Sequence, residues 1–370
     1  MSWGVWEKHM PLLYKEDWDE YKELYKAWWD GELRGALLQL ISPKQNVVMW
    51  RSWDSWAFVK YNDPVYVVKS FESWCKETYF GGAAFPNLWI NFGPGILGAM
   101  LGSQFIFTGD TVWFKPPEKP FSLREICELE LDFNNKWWVK VKQATETASM
   151  MSKGRFVVGI TDIGGVLDVM ASLRGTLNLI KDMFVEPKLL EEAIMRILGI
   201  WHECYEELLK LMPKGGMSSW MGIWCPSKWY PIQCDLAYIL SPKLFKKFVI
   251  PHIREHCLRL DYTIYHLDGP NQLPHVDTLL EIEELTGIQW VPGAAMSERG
   301  HHGGSSIWLS LYRKIQKRGK RLVLGVPLTS VKFLLDNLSP RGLLLSVSCY
   351  SKREADKLME RVPKNKIAKP

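Results

Sequence analysis

The stretch Thr263-Ile-Tyr-His-Leu-Asp-Gly-Pro-Asn271 decides the fold, together with Gly287-Ile-Gln-Trp-Val-Pro-Gly293 shortly after it. Each half is a short apolar strand that ends in polar and glycine residues. Side chains alternate along a strand, so His266 and Asp268 point to the same side. An imidazole beside a carboxylate at the C-terminal end of a strand forms half of a metal site or an acid–base pair. The alternative is a core histidine next to a helix-capping aspartate, and the other strands favour the first interpretation.

Apolar runs of this kind recur along the chain and alternate with helical patterns. Eight of them predict strands, at 35–42, 87–92, 155–161, 218–224, 263–268, 287–292, 321–326 and 342–348. Buried, mostly non-alternating strands separated by helices predict an α/β fold, namely a parallel (β/α)8 TIM barrel with its helices outside. An open doubly wound sheet is the alternative. It is weaker because no GxGxxG or GxxxxGK[ST] motif follows any of the runs.

The spacing of apolar residues also predicts the domain organisation. Residues 1–34 predict an N-terminal helical extension that ends near Gly31, and residues 35–370 predict a single barrel domain with an insertion at about 103–150. Further helices are predicted by apolar spacing and N-terminal capping residues, at 188–212, 241–260, 329–338 and 351–361.

Composition excludes several classes of function. The chain has 370 residues, 47% of them hydrophobic, and a net charge of +5 from 46 basic and 41 acidic residues. This is the composition of a soluble globular protein, and the nearly even charge balance gives no basis for nucleic-acid binding. We expect neither a signal peptide nor a membrane span. Seven cysteines without CxxC spacing indicate reduced thiols and a cytoplasmic location.

In a barrel of this kind the active site lies at the C-terminal ends of the strands. Polar residues stand at several of the predicted ends and are the candidate site residues: Asp162, Gln233, Asp235, His266, Asp268, Gln289 and Cys349. Any one of them can instead cap the following helix, and this alternative is strongest for Asp235, which precedes an apolar run.

Tryptophan is unusually abundant, with 19 residues. Its large amphipathic ring encloses flat or cationic ligands, although most tryptophans fill cores. Because several lie near strand ends, we predict a substrate pocket lined by Trp89, Trp220, Trp224 and Trp290, together with Gln233 and Gln289.

These motifs resemble the uroporphyrinogen decarboxylase-like superfamily, which includes that decarboxylase, corrinoid-linked zinc methyltransferases and a barrel related to cobalamin-independent methionine synthase. Gly159-Ile-Thr-Asp-Ile-Gly-Gly165 resembles the glycine-rich turn after the third strand. Cys234-Asp235 followed by Ser241-Pro242 resembles the family's aspartate and the start of its next helix. His266-Leu-Asp268-Gly269 resembles the histidine-x-cysteine-glycine motif of strand five. The resemblance covers roughly residues 150–360.

Two departures from the family pattern bear on function. The first-strand region Leu38-Gln-Leu-Ile-Ser-Pro-Lys-Gln-Asn46 lacks the arginine-rich motif that holds tetrapyrrole carboxylates, which argues against porphyrinogen decarboxylation. Asp268 stands where the zinc methyltransferases have their first cysteine, and Cys349 matches their C-terminal cysteine. The resemblance therefore implies a zinc site formed by His266, Asp268 and Cys349 with an open fourth position. The carboxylate makes such a metal harder and more Lewis acidic.

Three functional hypotheses follow. The first is a methyltransferase or demethylase that moves a methyl group from a small methylated substrate to a corrinoid protein or a thiol acceptor, with zinc assistance and with Asp162 and Asp235 orienting the substrate. The second is a decarboxylase or other lyase, or an enzyme that acts on a sugar, in which Asp162, Asp235 and His266 provide acid and base. The third is a binding barrel without catalysis. Superfamily members are often dimers, so the resemblance also implies a homodimer.

Overall fold

The computed structural model describes residues 12–44, 49–362 and 367, and these form a mixed α/β structure. The strands are β1 (Leu37–Pro43), β2 (Thr78–Gly82), β3 (Asn87–Trp89), β4 (Gln104–Phe107), β5 (Val112–Lys115), β6 (Val157–Gly159), β7 (Trp229–Gln233), β8 (Tyr262–Asp268), β9 (Gly287–Val291), β10 (Arg321–Gly325) and β11 (Leu343–Ser348).

Helices surround these strands. The α-helices are α1 (Trp18–Asp30), α2 (Ala57–Lys60), α3 (Pro64–Glu77), α4 (Leu97–Met100), α5 (Leu123–Cys127), α6 (Lys136–Ser152), α7 (Val166–Arg174), α8 (Thr176–Val185), α9 (Pro187–Leu211), α10 (Pro242–Phe248), α11 (Ile250–Arg259), α12 (Val276–Leu280), α13 (Ala294–Glu298), α14 (Leu309–Lys317), α15 (Leu328–Asn337) and α16 (Lys352–Arg361). Short 3-10 helices cover Asp235–Ile239, Pro270–His275 and Ser306–Trp308. In the described part of the chain no helix is both long and apolar enough to cross a membrane.

A seven-stranded sheet forms the centre of the molecule, in the order β2-β1-β11-β10-β9-β8-β7. Neighbouring strands are parallel except β2, which runs antiparallel to β1. Strands β3 and β6 form a separate parallel pair, and β4 and β5 an antiparallel hairpin. The parallel sheet expected from the sequence is therefore present, but over the described ranges its hydrogen-bonded ladder does not close into a barrel.

Seven of the eight predicted strands coincide with observed strands, and the prediction at 218–224 is wrong. There the chain makes a loop closed by an antiparallel bridge between Met217 and Cys225, with Gly222 at a φ of 68°. The strand in this part of the chain is β7, which was missed because Pro231 suggests a break. Pro231 is tolerated because β7 lies at the edge of the sheet, where a missing backbone donor on the outer side costs little. Strand β2 was also missed, since its Gly81-Gly82 resembles a turn.

The predicted helices are largely present, with one break. Helix α9 matches 188–212, and α16 begins after Ser351, whose hydroxyl accepts the Glu354 backbone N–H as the capping pattern predicts. The helix predicted at 241–260 is divided into α10 and α11. The division falls just before Pro251, which has no N–H to continue the hydrogen-bond ladder of α10.

Helix α1 belongs to the core of the molecule. Trp28 and Trp29 are fully buried, and the indole N–H of Trp29 donates to the Trp224 carbonyl at 2.9 Å. Arg321 on β10 donates to the carbonyls of both tryptophans. Gly31 ends the helix with a φ of 76°, as the sequence predicts. Residues 1–11 of the predicted helical extension lie outside the described residues.

The predicted insertion at 103–150 contains the β4–β5 hairpin and helices α5 and α6. Helix α5 packs on α9, α6 packs on α3, and β5 contacts α7. The start of α5 is fixed by Ser122 and Glu125, which cap each other's backbone N–H groups.

Candidate functional site

The register of three parallel strands brings the central site residues onto one face of the sheet. His266 on β8 is paired with Gln289 on β9 and with Gln233 on β7. Paired residues of parallel strands point the same way, and Asp268 follows His266 by two positions, so these four side chains share a face. All lie near the carboxyl ends of their strands, where parallel α/β proteins bind their ligands.

Asp235, His266 and Asp268 form a compact cluster, which we call the carboxylate–histidine cluster. Their potential ligand atoms all lie within 4.8 Å of one another. Asp235 begins the 3-10 helix that follows β7, while the other two residues end β8. His266 and Asp268 are half-buried, and Asp235 is exposed at the mouth. The sequence predicted all three as site residues, and the structure brings them together.

His266 has a defined orientation. Its Nδ1 lies 2.6 Å from Oε1 of Gln289, so Nδ1–H donates to the amide oxygen and the Nε2 lone pair stays free. The Trp220 ring meets the imidazole edge to face, with ring centres 5.0 Å apart. Burial lowers the pKa of His266, against the opposing effects of the Gln289 hydrogen bond and the Asp268 charge. The imidazole is therefore neutral near pH 7, the form that accepts a proton or binds a metal.

Asp168, which the sequence analysis missed, supports the cluster from helix α7. Its carboxylate accepts the backbone N–H groups of Asp235 and Leu236, both at 2.9 Å, and so fixes the start of the 3-10 helix. Burial, followed by the charge of Asp235, raises the pKa of Asp168, and the nearby His266 lowers it. The sequence does carry a signal for Asp168. It lies three residues after Gly165, in the first turn of α7, where the positive end of the helix favours an acidic residue.

Asp162 lies in the loop after β6 and is almost fully buried. Its Oδ1 accepts the Gly164 N–H at 2.8 Å and the hydroxyl of Tyr230 at 3.2 Å. Burial raises the pKa of Asp162 to about 7, although both hydrogen bonds oppose the rise. The pKa of Asp235 is also raised, because surrounding protein atoms displace part of the hydration of its carboxylate although the residue reaches the surface, and then because of the charges of Asp268 and Asp162. The three carboxyl groups of Asp162, Asp168 and Asp235 thus hold protons more readily than usual.

A close glycine contact shapes the loop that carries Asp162. Gly164 has a φ of 86°, and a Cβ atom there would lie 2.6 Å from the Cα of Gly95 in the loop after β3. Only glycine satisfies both the conformation and the distance. The glycine-rich turn is therefore needed for packing of the two loops.

Cys349 does not join the carboxylate–histidine cluster. Among the described residues, the group with metal-ligand spacing consists of Asp235, His266 and Asp268. Cys349 follows β11 on the far side of the sheet order, where its backbone N–H donates to the Ile41 carbonyl. Asp235, and not Cys349, lies beside His266 and Asp268, because the loop after β7 adjoins β8 whereas β11 is three strands away.

The predicted tryptophans divide between site and core. Trp220 contacts His266. Trp290 pairs in register with Leu267, which places it on the face opposite His266, where it packs on Trp308. Trp224 is buried against Trp18 of α1. Trp224 and Trp290 are therefore not brought to the cluster. Trp290 points to the opposite face of its strand, and Trp224 packs against helix α1.

Trp89, the remaining predicted tryptophan, lies on β3 in register with Gly159 of β6 and is half-buried. It belongs to the separate parallel pair of strands, which is not hydrogen-bonded to the β7–β9 register that forms the cluster.

Comparison with solved structures finds the same fold in an enzyme. The chain resembles a methyltransferase from Methanosarcina mazei. The TM-score is 0.60 and the sequence identity 12%, over 92% of this chain and 99% of that one. No protein-family model matches the chain, and no curated protein matches it. The likeness shows a methyltransferase-like fold, and at this identity it shows the fold alone.

Proposed function

We propose that the chain is a methyltransferase or demethylase whose site is the carboxylate–histidine cluster. The observation that carries the proposal is the meeting of Asp235, His266 and Asp268 at the carboxyl ends of neighbouring parallel strands. The methyltransferase-like fold supports the reaction class. The proposed substrate is a small methylated molecule, and the proposed acceptor is a corrinoid on a partner protein or a thiol.

The donor set fits a divalent metal ion, with zinc the first candidate. One imidazole and two carboxylates are ordinary zinc ligands at about 2.0–2.2 Å, and their present spacing needs only a modest contraction around an ion. The free Nε2 of His266 and the amide acceptor at Nδ1 match the usual arrangement of a metal-bound histidine. A bound metal would act as a Lewis acid on the heteroatom that bears the methyl group.

The protein's own groups have definable tasks in this proposal. Gln289 orients the His266 ring, and Asp168 holds the backbone that carries Asp235. Asp162, with its pKa raised to about 7, is able to donate a proton to a leaving oxygen or nitrogen near neutral pH. Trp220 covers one side of the imidazole and limits access of water.

Metal binding by single-site variants tests the proposal. We expect Asp235→Ala, His266→Ala and Asp268→Ala each to weaken Zn²⁺ binding at least roughly tenfold in calorimetry. Cys349→Ala is the matched control and should bind as the wild type does, since Cys349 lies outside the cluster. Loss of zinc binding in Cys349→Ala, with retention in Asp235→Ala, would instead support the ligand set implied by the family resemblance, namely His266, Asp268 and Cys349.

Methyl transfer itself is measured with free cob(I)alamin as acceptor. Methylated amines, ethers and thioethers serve as donors, and formation of methylcobalamin is followed by its visible absorbance. A thiol acceptor is tested in parallel by mass spectrometry. We expect turnover with at least one donor, and none in His266→Ala. Transfer that survives in His266→Ala at the wild-type rate would contradict the assignment.

Acid–base catalysis without a metal is the second candidate, and the observation that favours it is Asp235, whose pKa is raised to about 6, in one cluster with a neutral His266. A decarboxylase or other lyase needs such a pair of proton donor and acceptor at neutral pH. Carbon dioxide release from a panel of carboxylated substrates, undiminished after exhaustive chelation, would favour this class over methyl transfer.

For the fold, we infer that β1, β3 and β6–β11 correspond to the eight strands of an interrupted barrel of the uroporphyrinogen decarboxylase-like type, over a single domain from residue 35 onward. The bridge between Gly159 and Ser218 and the hydrogen bond from Ile160 N–H to the Ser218 carbonyl support this, because they connect the β3–β6 pair to the segment that precedes β7.

A further inference from the structure

A cavity of about 320 Å³ lies at β1, β11 and the loop that replaces the predicted fourth strand. We call it the aromatic cavity. Its lining contains no charged residue within the described part of the chain, and five aromatic rings form much of its wall: Trp53, Phe71, Trp74, Phe80 and Phe85. A cavity with such walls favours an uncharged, mainly apolar ligand, since a buried charge without a partner is costly.

The aromatic cavity opens on the same face of the sheet as the carboxylate–histidine cluster. Successive register pairs across β8, β9, β10, β11 and β1 place Gln39 and Ser346 on the face that holds Gln289 and His266. Gln39 and Ser346 both line the cavity. The strands themselves therefore connect the two features.

The loop before β7 also contacts both the carboxylate–histidine cluster and the aromatic cavity. Trp220 packs against His266, while Met221 and Gly222, the next two residues, line the cavity. This segment is a tight turn, closed by the Gly222 N–H, which donates to the Ser219 carbonyl at 3.0 Å. One turn therefore carries both the residue that contacts His266 and two residues that line the cavity.

The polar side chains Asn87 and Gln39 on the cavity wall are enclosed or already paired. Asn87 lines the cavity and donates from Nδ2 to the Ser219 carbonyl at 2.9 Å. Its Oδ1 is buried and has no hydrogen-bond partner among the described residues. Gln39, in contrast, has partners at both ends of its amide, in Tyr25, Gly222 and Ser346. Because Asn87 Oδ1 has almost no accessible surface, the wall offers a ligand mainly apolar contact.

We infer that the aromatic cavity binds the uncharged aromatic body of the small-molecule substrate, while the reactive group of that substrate faces His266. Only the last clause rests on the proposed function. The selectivity of the cavity for a neutral aromatic body follows from its uncharged aromatic walls and stands apart from the reaction class.

Calorimetry with three matched probes tests the inference on the full-length protein. The probes are 2-naphthol, which has a donor, naphthalene, which has none, and 2-naphthoate, which is charged. We expect one molecule of 2-naphthol or naphthalene per chain, with affinities within roughly threefold of each other, and 2-naphthoate weaker than both by at least roughly tenfold. Equal affinity for 2-naphthoate and 2-naphthol would overturn the inference.

Variants locate the bound probe. Ala84→Leu, at a buried position on the cavity wall, should block both 2-naphthol and naphthalene, and Met221→Trp serves the same purpose if Ala84→Leu does not fold. Unchanged binding in a folded cavity-filling variant would overturn the inference.

His266→Ala separates this inference from the proposed function. We expect it to bind 2-naphthol as the wild type does, while it loses Zn²⁺ binding. Loss of 2-naphthol binding in His266→Ala would place the probe at the cluster and overturn the inference. A wild-type protein that binds 2-naphthol selectively but neither holds zinc nor transfers methyl groups would refute the proposed function and leave the cavity assignment intact.

Discussion

At the scale of single residues, the orientation of His266 depends on Gln289. In Gln289→Leu the imidazole loses the acceptor for its Nδ1–H, and the ring is free to turn or to change tautomer. We expect Zn²⁺ affinity to fall by roughly 10- to 100-fold, the usual effect of removing a partner of a ligating histidine. Calorimetric titration measures it.

Gln289→Glu is the matched control, because it keeps an acceptor oxygen at the same place. We expect it to bind Zn²⁺ at least as tightly as the wild type does. Equal affinities in wild type and Gln289→Leu would show that His266 is held by its packing against Trp220 alone.

Asp168 gives a second prediction at this scale, this time on stability. Asp168→Ala leaves the N–H groups of Asp235 and Leu236 without their acceptor. We expect the free energy of unfolding to fall by about 1–3 kcal/mol in urea denaturation. Asp168→Asn keeps one acceptor oxygen, so its free energy of unfolding should lie between those of the wild type and Asp168→Ala. A change below about 0.5 kcal/mol in Asp168→Ala would mean that water replaces the carboxylate at little cost.

At the scale of elements, helix α1 is expected to contribute strongly to stability. Trp29 is buried and joins α1 to the loop before β7 through its indole hydrogen bond. Trp29→Ala should lower the free energy of unfolding by about 3–5 kcal/mol, as for other large-to-small core substitutions. Trp113→Ala, at a side chain that is 57% exposed on β5, is the control and should change it by less than about 0.5 kcal/mol. Similar effects of the two substitutions would contradict a core role for α1.

The elements also show how far the sequence determines the site. His266, Asp268 and Gln289 were predictable because strand period and strand ends are local properties. The third member of the cluster was not predictable from the sequence. Whether Asp235 or Cys349 lies beside His266 and Asp268 depends on the order of the strands in the sheet. Trp290 was misassigned because a residue adjacent to a site residue on a strand points to the opposite face.

At the scale of the whole molecule, three buried histidines make stability depend on pH. His202 on α9 and His252 and His256 on α11 pack together, with ring centres of neighbouring pairs 5.0 and 6.2 Å apart. Burial lowers the pKa of His252 to about 3, and neither of its ring nitrogens has a hydrogen-bond partner among the described residues.

A histidine whose pKa is lower in the folded state binds fewer protons folded than unfolded. Its stabilising contribution is present above the unfolded pKa of about 6.5 and is lost as the pH falls toward the folded value. The acid loss from His252 alone amounts to about 2 kcal/mol between pH 7.5 and pH 5. The raised pKa of Asp162 acts in the opposite direction over part of this range, so the wild-type curve does not isolate the histidine.

His252→Leu isolates the histidine by difference. We expect this variant to equal or exceed the wild type in stability at pH 7.5, because it removes two unpaired buried nitrogens. Its advantage should grow by about 2 kcal/mol at pH 5 in urea denaturation. An advantage that stays constant across this range would show that His252 takes up a proton as readily in the folded protein as in the unfolded one, so that its pKa is not lowered.

The gap between the two parallel sheets has a consequence for finding the natural ligand. Across it, Asn87 and Gln39 donate to the carbonyls of Ser219 and Gly222, in place of a continuous backbone ladder. Such isolated hydrogen bonds open at lower free energy than a ladder does. A ligand that fills the space between them would tie the two halves of the molecule together. At one hundred times its dissociation constant it adds about 2.7 kcal/mol to the unfolding free energy, so a melting-temperature screen of metabolites reports occupancy directly, with no assay of turnover.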